Sequence, residues 1–217
     1  MVGRLLTQYV IILPMKDLRC GKSRLITVLS DAARQKLIQN LFSRVVFAAK
    51  KSIVDEIWVV GAGQKLEQIC SVTEVKWIKA GGKDLNQDLS NAIVTAQRRS
   101  LTPIYLPGDL PFVEPWDINQ VIKRSCGGRK FVLVPSRYDD GTNCMLIPTW
   151  LHFRTLLGEG SFGKHKRMLR ELNVDFVNMC PAGITLDLDT ADDLTYCNVI
   201  EKGFICRLGM PINRNGS

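Results

Sequence analysis

Short apolar runs alternate with amphipathic stretches along this chain of 217 residues. The runs contain many β-branched and aromatic residues, which favour strands covered on both faces. The stretches between them repeat apolar residues every three or four positions, as in a helix that packs on a sheet. The alternation predicts an α/β fold in which helices flank a mostly parallel, Rossmann-like sheet.

Seven strands and five helices are predicted from this pattern. The strands are expected at residues 9–13, 56–60, 75–78, 104–106, 131–134, 144–147 and 176–177, and the helices at 31–50, 86–99, 115–124, 161–172 and 191–201. Because no internal repeat or Ser/Gly-rich linker divides the chain, we expect one domain over residues 1–202. Residues 203–217, which contain Gly, Pro and Asn, are expected to form a loosely attached tail.

The chain is basic, with 29 Lys and Arg against 21 Asp and Glu and a net charge of +8. A positive field of this size attracts nucleic acid, an anionic membrane or small phosphorylated ligands. A nucleic-acid-binding module would interleave aromatic with basic residues. Here the aromatic residues make up only 7% of the chain and stand mostly within the apolar runs. The pattern therefore argues against nucleic acid as the partner.

The seven cysteines include no C-x-x-C pair, so neither a zinc site nor a disulfide framework is predicted. We expect buried thiols, as in a reducing cytosol. The first residues lack an apolar signal core, and no apolar run near them is of membrane length. The sequence therefore predicts a cytoplasmic protein that does not associate with membranes.

The loop after the first predicted strand has the composition of a phosphate-binding loop. Lys16, Lys22 and Arg24 surround Gly21, and Ser23 adds a hydroxyl. Basic side chains supply charge and hydrogen-bond donors, and a glycine lets the backbone come close to a phosphate. The segment lacks the earlier glycine of a Walker loop, so a solvated basic loop is the alternative.

Three carboxylates are predicted to form a magnesium site. Asp109 follows the strand at 104–106, and Asp187 and Asp189 alternate in an extended segment, which places them on one side of the chain. Ligands of open sheets bind beyond the carboxyl ends of the strands, and hard oxygen donors suit Mg²⁺ that also binds phosphates. The alternative for Asp109 is to cap the next turn. Thr190 and Asp193 are expected to cap the helix that follows.

Three further segments carry polar groups. The segments at 139–143 and 158–165 combine glycine with hydroxyl and amide groups that offer donors to a small anion, although such residues also form ordinary turns. His165 lies in the second segment, either as a contact to the substrate or as a structural residue. Asp84 and Asn86 open a predicted helix, either to contact a ribose or base or to cap that helix.

Six motifs occur in a fixed order between about residue 10 and residue 194. They are P-x-K with GKSRL (14–25), DLNQDLSNA (84–92), LPGDLP (106–111), VPSRYDDGTN (134–143), LGEGSFGKH (157–165) and LDLDTADDL (186–194). In this order they resemble the 2-phospholactate and phosphoenolpyruvate guanylyltransferase family of coenzyme F-420 biosynthesis. The resemblance implies a single-domain nucleotidyltransferase fold of the nucleotide-diphospho-sugar transferase type. It also implies a Mg²⁺-dependent reaction in which GTP condenses with a phosphorylated three-carbon acid and pyrophosphate is released.

The resemblance also implies roles for individual residues. It assigns Lys16, Lys22, Ser23 and Arg24 to the triphosphate, Leu85 and Asn86 to the nucleoside, Thr142, Gly158 and Ser161 to the carboxylate of the acid, and Asp109, Asp187 and Asp189 to Mg²⁺. The chain departs from the family at Gly21, where alanine is usual, and at Asp140, where glycine is preferred. A carboxylate at Asp140 lies so near an anion site that it bears on the identity of the acid.

The expected partners are therefore GTP and one of three acids, 2-phospho-L-lactate, phosphoenolpyruvate or 3-phospho-D-glycerate. The resemblance also allows a homodimer and a contact with the downstream transferase of the pathway. Two alternatives stay open. One is a related nucleotidyltransferase that acts on a molybdenum cofactor or a sugar phosphate, and the other is a basic nucleic-acid-binding module.

Overall fold

The computed structural model describes residues 7–15, 21–138 and 140–207. Within these ranges the strands are β1 (Gln8–Met15), β2 (Glu56–Gly61), β3 (Lys76–Lys79), β4 (Leu101–Tyr105), β5 (Phe131–Pro135), β6 (Thr142–Leu146) and β7 (Phe176–Asn178). The helices are α1 (Asp31–Lys51), α2 (Gln64–Val72), α3 (Leu85–Arg98), α4 (Pro115–Arg124), α5 (Ser161–Glu171), α6 (Ala182–Thr185), α7 (Ala191–Ile200) and α8 (Phe204–Arg207), with a 3₁₀ turn at Ser23–Leu25. All seven predicted strands and all five predicted helices are confirmed.

The helix α2 is not among the predicted helices. Only Leu66 and Cys70 of its nine residues are buried, and most of the others are polar. Leu66, Ile69 and Cys70 stand at the i, i+3, i+4 spacing of an amphipathic helix, but the pattern covers little more than one turn, which is too short to identify a helix in the sequence. Leu66 and Cys70 pack in the core cluster that also holds Ile11 and Leu13 of β1.

The strands form one sheet in the order β3-β2-β1-β4-β6-β5-β7. The pairs β3–β2, β2–β1, β1–β4 and β5–β7 are parallel, whereas β6 is antiparallel to both β4 and β5. Six strands therefore run in one direction and β6 runs against them, which confirms the mostly parallel sheet. Because β6 is reversed, its amino end lies at the same edge as the carboxyl ends of its neighbours.

The two faces of the sheet are both apolar because helices cover both. Ile11 and Leu13 of β1 pack in one core cluster with α1, α2 and α4, and Val10 and Ile12 pack on the opposite face with α3 and α5. This alternation follows from the two-residue period of a strand. None of the helices in the described ranges is long and apolar enough to cross a membrane.

The tail predicted to begin at residue 203 is in part packed on the domain. Phe204 of α8 is 2% exposed, and its ring lies 5.4 Å from that of Phe112 between centroids. A buried aromatic ring of this kind anchors the chain, because exposing it would cost apolar burial. Residues 208–217 lie outside the described residues.

Candidate active site

A cavity of about 420 Å³ lies at the carboxyl ends of β1 and β4. From β1 the chain continues to β2 on one side, whereas from β4 it continues to β6 and β5 on the other. Open α/β sheets leave a crevice at such a switch point, and ligands bind there. The residues that line the cavity are Pro14, Met15, Gly21, Lys22, Ser23, Arg24, Ile38, Leu85, Tyr105, Pro107, Gly108, Asp109 and Asp189.

Lys22 stands between two carboxylates in this cavity. Its Nζ donates to Asp109 Oδ2 at 2.5 Å and to Asp189 Oδ1 at 2.6 Å, and its side chain is 6% exposed. Burial by itself would lower the pKa of the ammonium, but Asp109 and Asp189 outweigh it and raise the pKa above its ordinary value. Lys22 also has φ 57° and ψ 42°, a left-handed conformation that is uncommon for lysine and recurs at functional sites.

The backbone brings the carboxylates together from distant parts of the chain. Leu188 N–H donates to the carbonyl of Asp109 at 3.2 Å, which ties the segment 187–189 to the loop after β4. Asp193 Oδ2 accepts from the N–H groups of Asp189 and Thr190 at 3.0 and 2.8 Å. Thr190 and Asp193 form the predicted capping box of α7. The cap of this helix therefore also holds Asp189 in place.

Asp187 is held by two residues that sequence reasoning did not assign to the site. Ser136 Oγ and Asn143 Nδ2 each donate to Asp187 Oδ1 at 3.0 Å. Burial raises the pKa of Asp187, and the charges of Asp109 and Asp189 raise it further. Ser136 and Asn143 both lie in the VPSRYDDGTN segment. The motif therefore identified the segment but did not predict that these two side chains contact Asp187.

The carboxylates fit Mg²⁺ that binds together with a polyphosphate. No three His, Cys, Asp or Glu side chains in the described ranges converge as ligands of a metal ion. Asp109 Oδ1, however, is buried without a hydrogen-bond partner in the described part of the chain, which leaves one anionic oxygen for a cation. Mg²⁺ in proteins usually takes one or two carboxylates and completes its shell with phosphates and water.

A second cavity of about 470 Å³ adjoins the first, and both are lined by Arg24 and Asp189. Its other lining residues are Ser136, Tyr138, Asp187, Thr190, Asp192, Asp193 and Tyr196. The guanidinium of Arg137 lies 5.0 Å from the ring centroid of Tyr138 and 4.2 Å from that of Tyr196. Asp189 therefore forms part of the walls of both cavities, whereas Asp109 lines the first and Asp187 the second.

Thr142, Ser161 and His165 form a buried polar group on the other side of β6 from Asp187. Neighbouring strand residues point to opposite faces, so Asn143 reaches Asp187 whereas Thr142 faces α5. His165 Nδ1 lies 2.9 Å from Thr142 Oγ1, and Ser161 Oγ donates to the same oxygen at 3.3 Å. His165 is fully buried, so the structure places it behind Thr142 rather than at the surface of the site.

Of the remaining predicted site residues, some line the first cavity and others do not. Ser23, Arg24 and Leu85 line the first cavity. The amide of Asn86 instead holds a loop: its Nδ2 donates to the carbonyl of Leu157 at 3.2 Å, and its Oδ1 accepts from the N–H of Leu157 at 2.7 Å. A contact of Asn86 with the nucleoside stays a prediction. Gly158 is exposed with φ 121°, and Lys16 lies outside the described residues.

The burial of His165 predicts a loss of stability in mild acid. Burial, with a smaller effect of Lys164, lowers the pKa of His165 to about 4 from an ordinary value of 6.5. The unfolded chain takes up this proton below about pH 6.5 and the folded chain only near pH 4, so the free energy of unfolding falls between them, by at most about 3 kcal/mol. Urea unfolding at pH 7.5 and pH 4.5 should show a smaller loss for His165→Gln than for the wild type.

The second histidine provides the control for this measurement. His152 is exposed, so His152→Gln should keep the pH dependence of the wild type. Equal losses of stability in His165→Gln and the wild type would show that His165 does not carry the effect.

Comparison with protein families identifies relatives over most of the chain. The model of the family described as guanylyl transferase CofC like matches residues 9–203. The phosphoenolpyruvate guanylyltransferase of Chloroflexus aggregans is 30% identical over 196 residues, which cover 86% of this chain and 96% of the relative. The 2-phospho-L-lactate guanylyltransferase of Methanobrevibacter smithii is 24% identical over 184 residues, covering 84% of this chain and 80% of the relative.

A solved structure supports the fold independently. A protein from Desulfovibrio desulfuricans G20, described as a nucleotide-diphospho-sugar transferase, superposes with a TM-score of 0.75 at 13% identity. The superposition covers 96% of this chain and 89% of that protein. At this level of identity the likeness shows the nucleotidyltransferase fold.

Proposed function

The chain belongs to the guanylyl transferase CofC like family, and on this premise we propose that it condenses GTP with a phosphorylated three-carbon acid. The products are a guanosine diphospho-acid and pyrophosphate, within the biosynthesis of coenzyme F-420. Phosphoenolpyruvate is our first candidate for the acid, because the relative from Chloroflexus aggregans bears that name. 2-Phospho-L-lactate and 3-phospho-D-glycerate present the same phosphate and carboxylate and are the alternatives.

The observation that carries this proposal is the meeting of Lys22 with Asp109 and Asp189 at the switch point of the sheet. A reaction between two anions needs positive charge where they approach each other. A buried ammonium supplies that charge, and carboxylates beside it supply ligands for a divalent cation. Burying charged groups costs free energy, so the burial of these groups together indicates a role other than stabilising the fold.

The proposed reaction needs little covalent help from the protein. An oxygen of the acid's phosphate attacks the α-phosphorus of GTP, and the bond from that phosphorus to the oxygen of pyrophosphate breaks. The attacking oxygen is already ionised at neutral pH, so no side chain has to remove a proton. The protein contributes by placing the two anions in line and by neutralising their charge.

Three basic residues of the loop after β1 are proposed to take part in this placement. Lys22 and Arg24 line the cavity and would pair with the triphosphate, with Ser23 as a hydroxyl donor. Lys16, outside the described residues, is proposed for the same role. Asp109, with Asp187 and Asp189, would hold Mg²⁺, which would offset the repulsion between the two substrates when bound.

The carboxylate of the acid is proposed to bind at Thr142, Gly158 and Ser161. Ser161 is the first residue of α5, where the helix dipole favours an anion. The N–H groups of Ser161 and Phe162 donate to the carbonyls of Gly158 and Asp140, so the dipole and the hydroxyl groups are what this helix end offers. Thr142 and Ser161 add hydroxyl groups that hydrogen-bond to each other. The resemblance to the family supports this assignment, and the group lies just across β6 from Asp187.

Asp140 is predicted to weaken binding of the acid. Its Oδ2 lies 3.3 Å from the position that a Cβ on Gly163, in the first turn of α5, would take. Its φ of 50° is the left-handed conformation that glycine adopts freely, which explains the family's preference for glycine. Asp140→Gly should lower the KM for the acid about fivefold, because a like charge near the anion is removed.

The companion variant Asp140→Asn separates charge from backbone conformation. It removes the same charge and retains a side chain that tolerates positive φ. Steady-state kinetics should show a lower KM for the acid in both variants and an unchanged KM for GTP. If neither variant lowers the KM for the acid, the carboxylate of Asp140 has no influence on that site.

The function is tested by following pyrophosphate release from GTP and Mg²⁺ with each of the three acids in turn. One acid should support turnover clearly faster than the other two. Replacement of GTP by CTP or ATP provides the control for the base, and addition of EDTA tests the requirement for Mg²⁺. Release with a sugar phosphate or a molybdopterin, and with none of the three acids, would contradict the proposal.

Three further expectations accompany this function. They are a cytoplasmic location, a homodimer, and a contact with the downstream transferase of the pathway. Each stays a prediction, and size-exclusion chromatography with light scattering would test the homodimer.

A further inference from the structure

His165 is buried behind the proposed acid site with both ring nitrogens in hydrogen bonds. Its side chain lies on α5, is 0% exposed, and packs at 5.6 Å between ring centroids against Phe153. Nδ1 faces Thr142 Oγ1 at 2.9 Å, and Nε2 accepts from the N–H of Leu156 at 2.9 Å. A histidine held at both ends is suited to fix the orientation of a neighbour.

The partner of Nε2 is itself fixed by α3. Leu157 is held through both of its backbone groups by the side chain of Asn86. Thr155 Oγ1 donates to the carbonyl of Asn86 at 3.1 Å and lies 3.2 Å from Ser90 Oγ. Leu156 lies between these two anchored residues, so its N–H has little freedom to turn away from His165.

This anchoring decides which nitrogen of His165 carries the proton. A backbone N–H can only donate, so Nε2 must offer its lone pair and the neutral ring carries its hydrogen on Nδ1. Nδ1–H then donates to Thr142 Oγ1, which also accepts from Ser161 Oγ. With both lone pairs of the hydroxyl engaged, the hydrogen of Thr142 is left as a donor.

We propose that His165 is a positioning residue that turns the hydroxyl hydrogen of Thr142 toward the carboxylate of the acceptor acid. The inference rests on the proposed function, because the acid is assigned to Thr142 by that proposal. It adds that the orientation is set from α3, through the loop 155–157 and the ring of His165. The acid site is thereby linked to the helix that carries Leu85 at the nucleotide cavity.

A matched pair of variants tests this role. His165→Asn places an amide N–H at the same number of bonds from Cα as Nδ1, and His165→Gln places an amide oxygen at the position of Nε2. The asparagine variant therefore keeps the donor to Thr142, and the glutamine variant keeps the acceptor for Leu156. Either variant loses one hydrogen bond, so thermal unfolding measures the structural loss in each separately.

His165→Gln should raise the KM for the acid at least tenfold and leave the KM for GTP within twofold. His165→Asn should keep the KM for the acid within threefold of the wild type. An equal rise in both variants, no rise in either, or a matching rise in the KM for GTP would overturn the proposal, because a merely structural role predicts no difference between the two substrates.

A direct observation on the wild-type protein keeps the test independent of folding of the variants. The chain has only two histidines, so ¹⁵N spectra of the imidazoles can be assigned with the help of His152→Gln. We expect His165 at neutral pH to be the tautomer protonated on Nδ1, and the tautomer protonated on Nε2 would refute the inference. If the wild type released no pyrophosphate with any acid, the proposed function would fail, even with the tautomer as expected.

Discussion

Asp109→Asn is expected to lower the rate of pyrophosphate release by at least about 100-fold, as is typical when a group that stabilises charge in a transition state is removed. The substitution preserves the shape of the side chain and removes its charge. Asp109 is the carboxylate that binds Lys22 Nζ and leaves one buried oxygen without a partner in the described ranges. Its loss therefore acts on the ammonium and on the proposed cation ligand together.

The measurement compares initial rates at saturating GTP, Mg²⁺ and acid, with thermal unfolding as a check that the variant folds. Asp175→Asn is the matched control, because Asp175 is exposed and lies outside both cavities. It should retain the activity of the wild type. If Asp109→Asn kept more than about a third of the wild-type rate, a transition-state role for Asp109 would be untenable.

Lys22→Met is expected to lower kcat/KM by at least about 100-fold and also to destabilise the fold. Methionine matches the apolar stem of lysine as far as Cε but leaves Asp109 and Asp189 facing each other without the ammonium. Breaking a buried ion pair costs about 3–5 kcal/mol, and we expect about 2 kcal/mol here because water screens part of the loss. Water can screen the charge of Asp189, because the side chain of this residue is 44% exposed.

Added Mg²⁺ should distinguish this explanation from simple loss of packing. The two carboxylates of Lys22→Met lose the ammonium that lies between them, so millimolar Mg²⁺ should raise the melting temperature of this variant more than that of the wild type. Lys123→Met on the exposed side of α4 is the control and should leave both activity and stability nearly unchanged. A fully active Lys22→Met variant, or one that Mg²⁺ does not stabilise, would show that the ammonium does not serve this site.

The predicted strands are confirmed because their runs are apolar on both faces, a property that each residue carries locally. The helix α2 was not predicted, because its apolar residues Leu66, Ile69 and Cys70 cover little more than one turn and a pattern so short does not identify a helix. The reversal of β6 is also a tertiary result. Its direction depends on pairing with β4 and β5, which no local pattern records.

In the candidate site, too, the sequence predicts individual residues, whereas the tertiary structure decides which of them are in contact. The motifs marked Lys22, Asp109 and Asp189, but their sequence separation hides that one ammonium bridges both acids. The sequence offers the amide of Asn143 either to a small anion or to an ordinary turn, and it does not show that this amide donates to Asp187.

The sequence by itself determined the fold class and the family and predicted the loops of the proposed site, because apolar periodicity and charged motifs are properties of short segments. The tertiary structure alone decided which side chains face a cavity and which stand behind it. His165 belongs to the second kind: the role proposed for it depends on Thr142 and Leu156, which only the packing of α5 against β6 and the loop 155–157 brings to its two nitrogens.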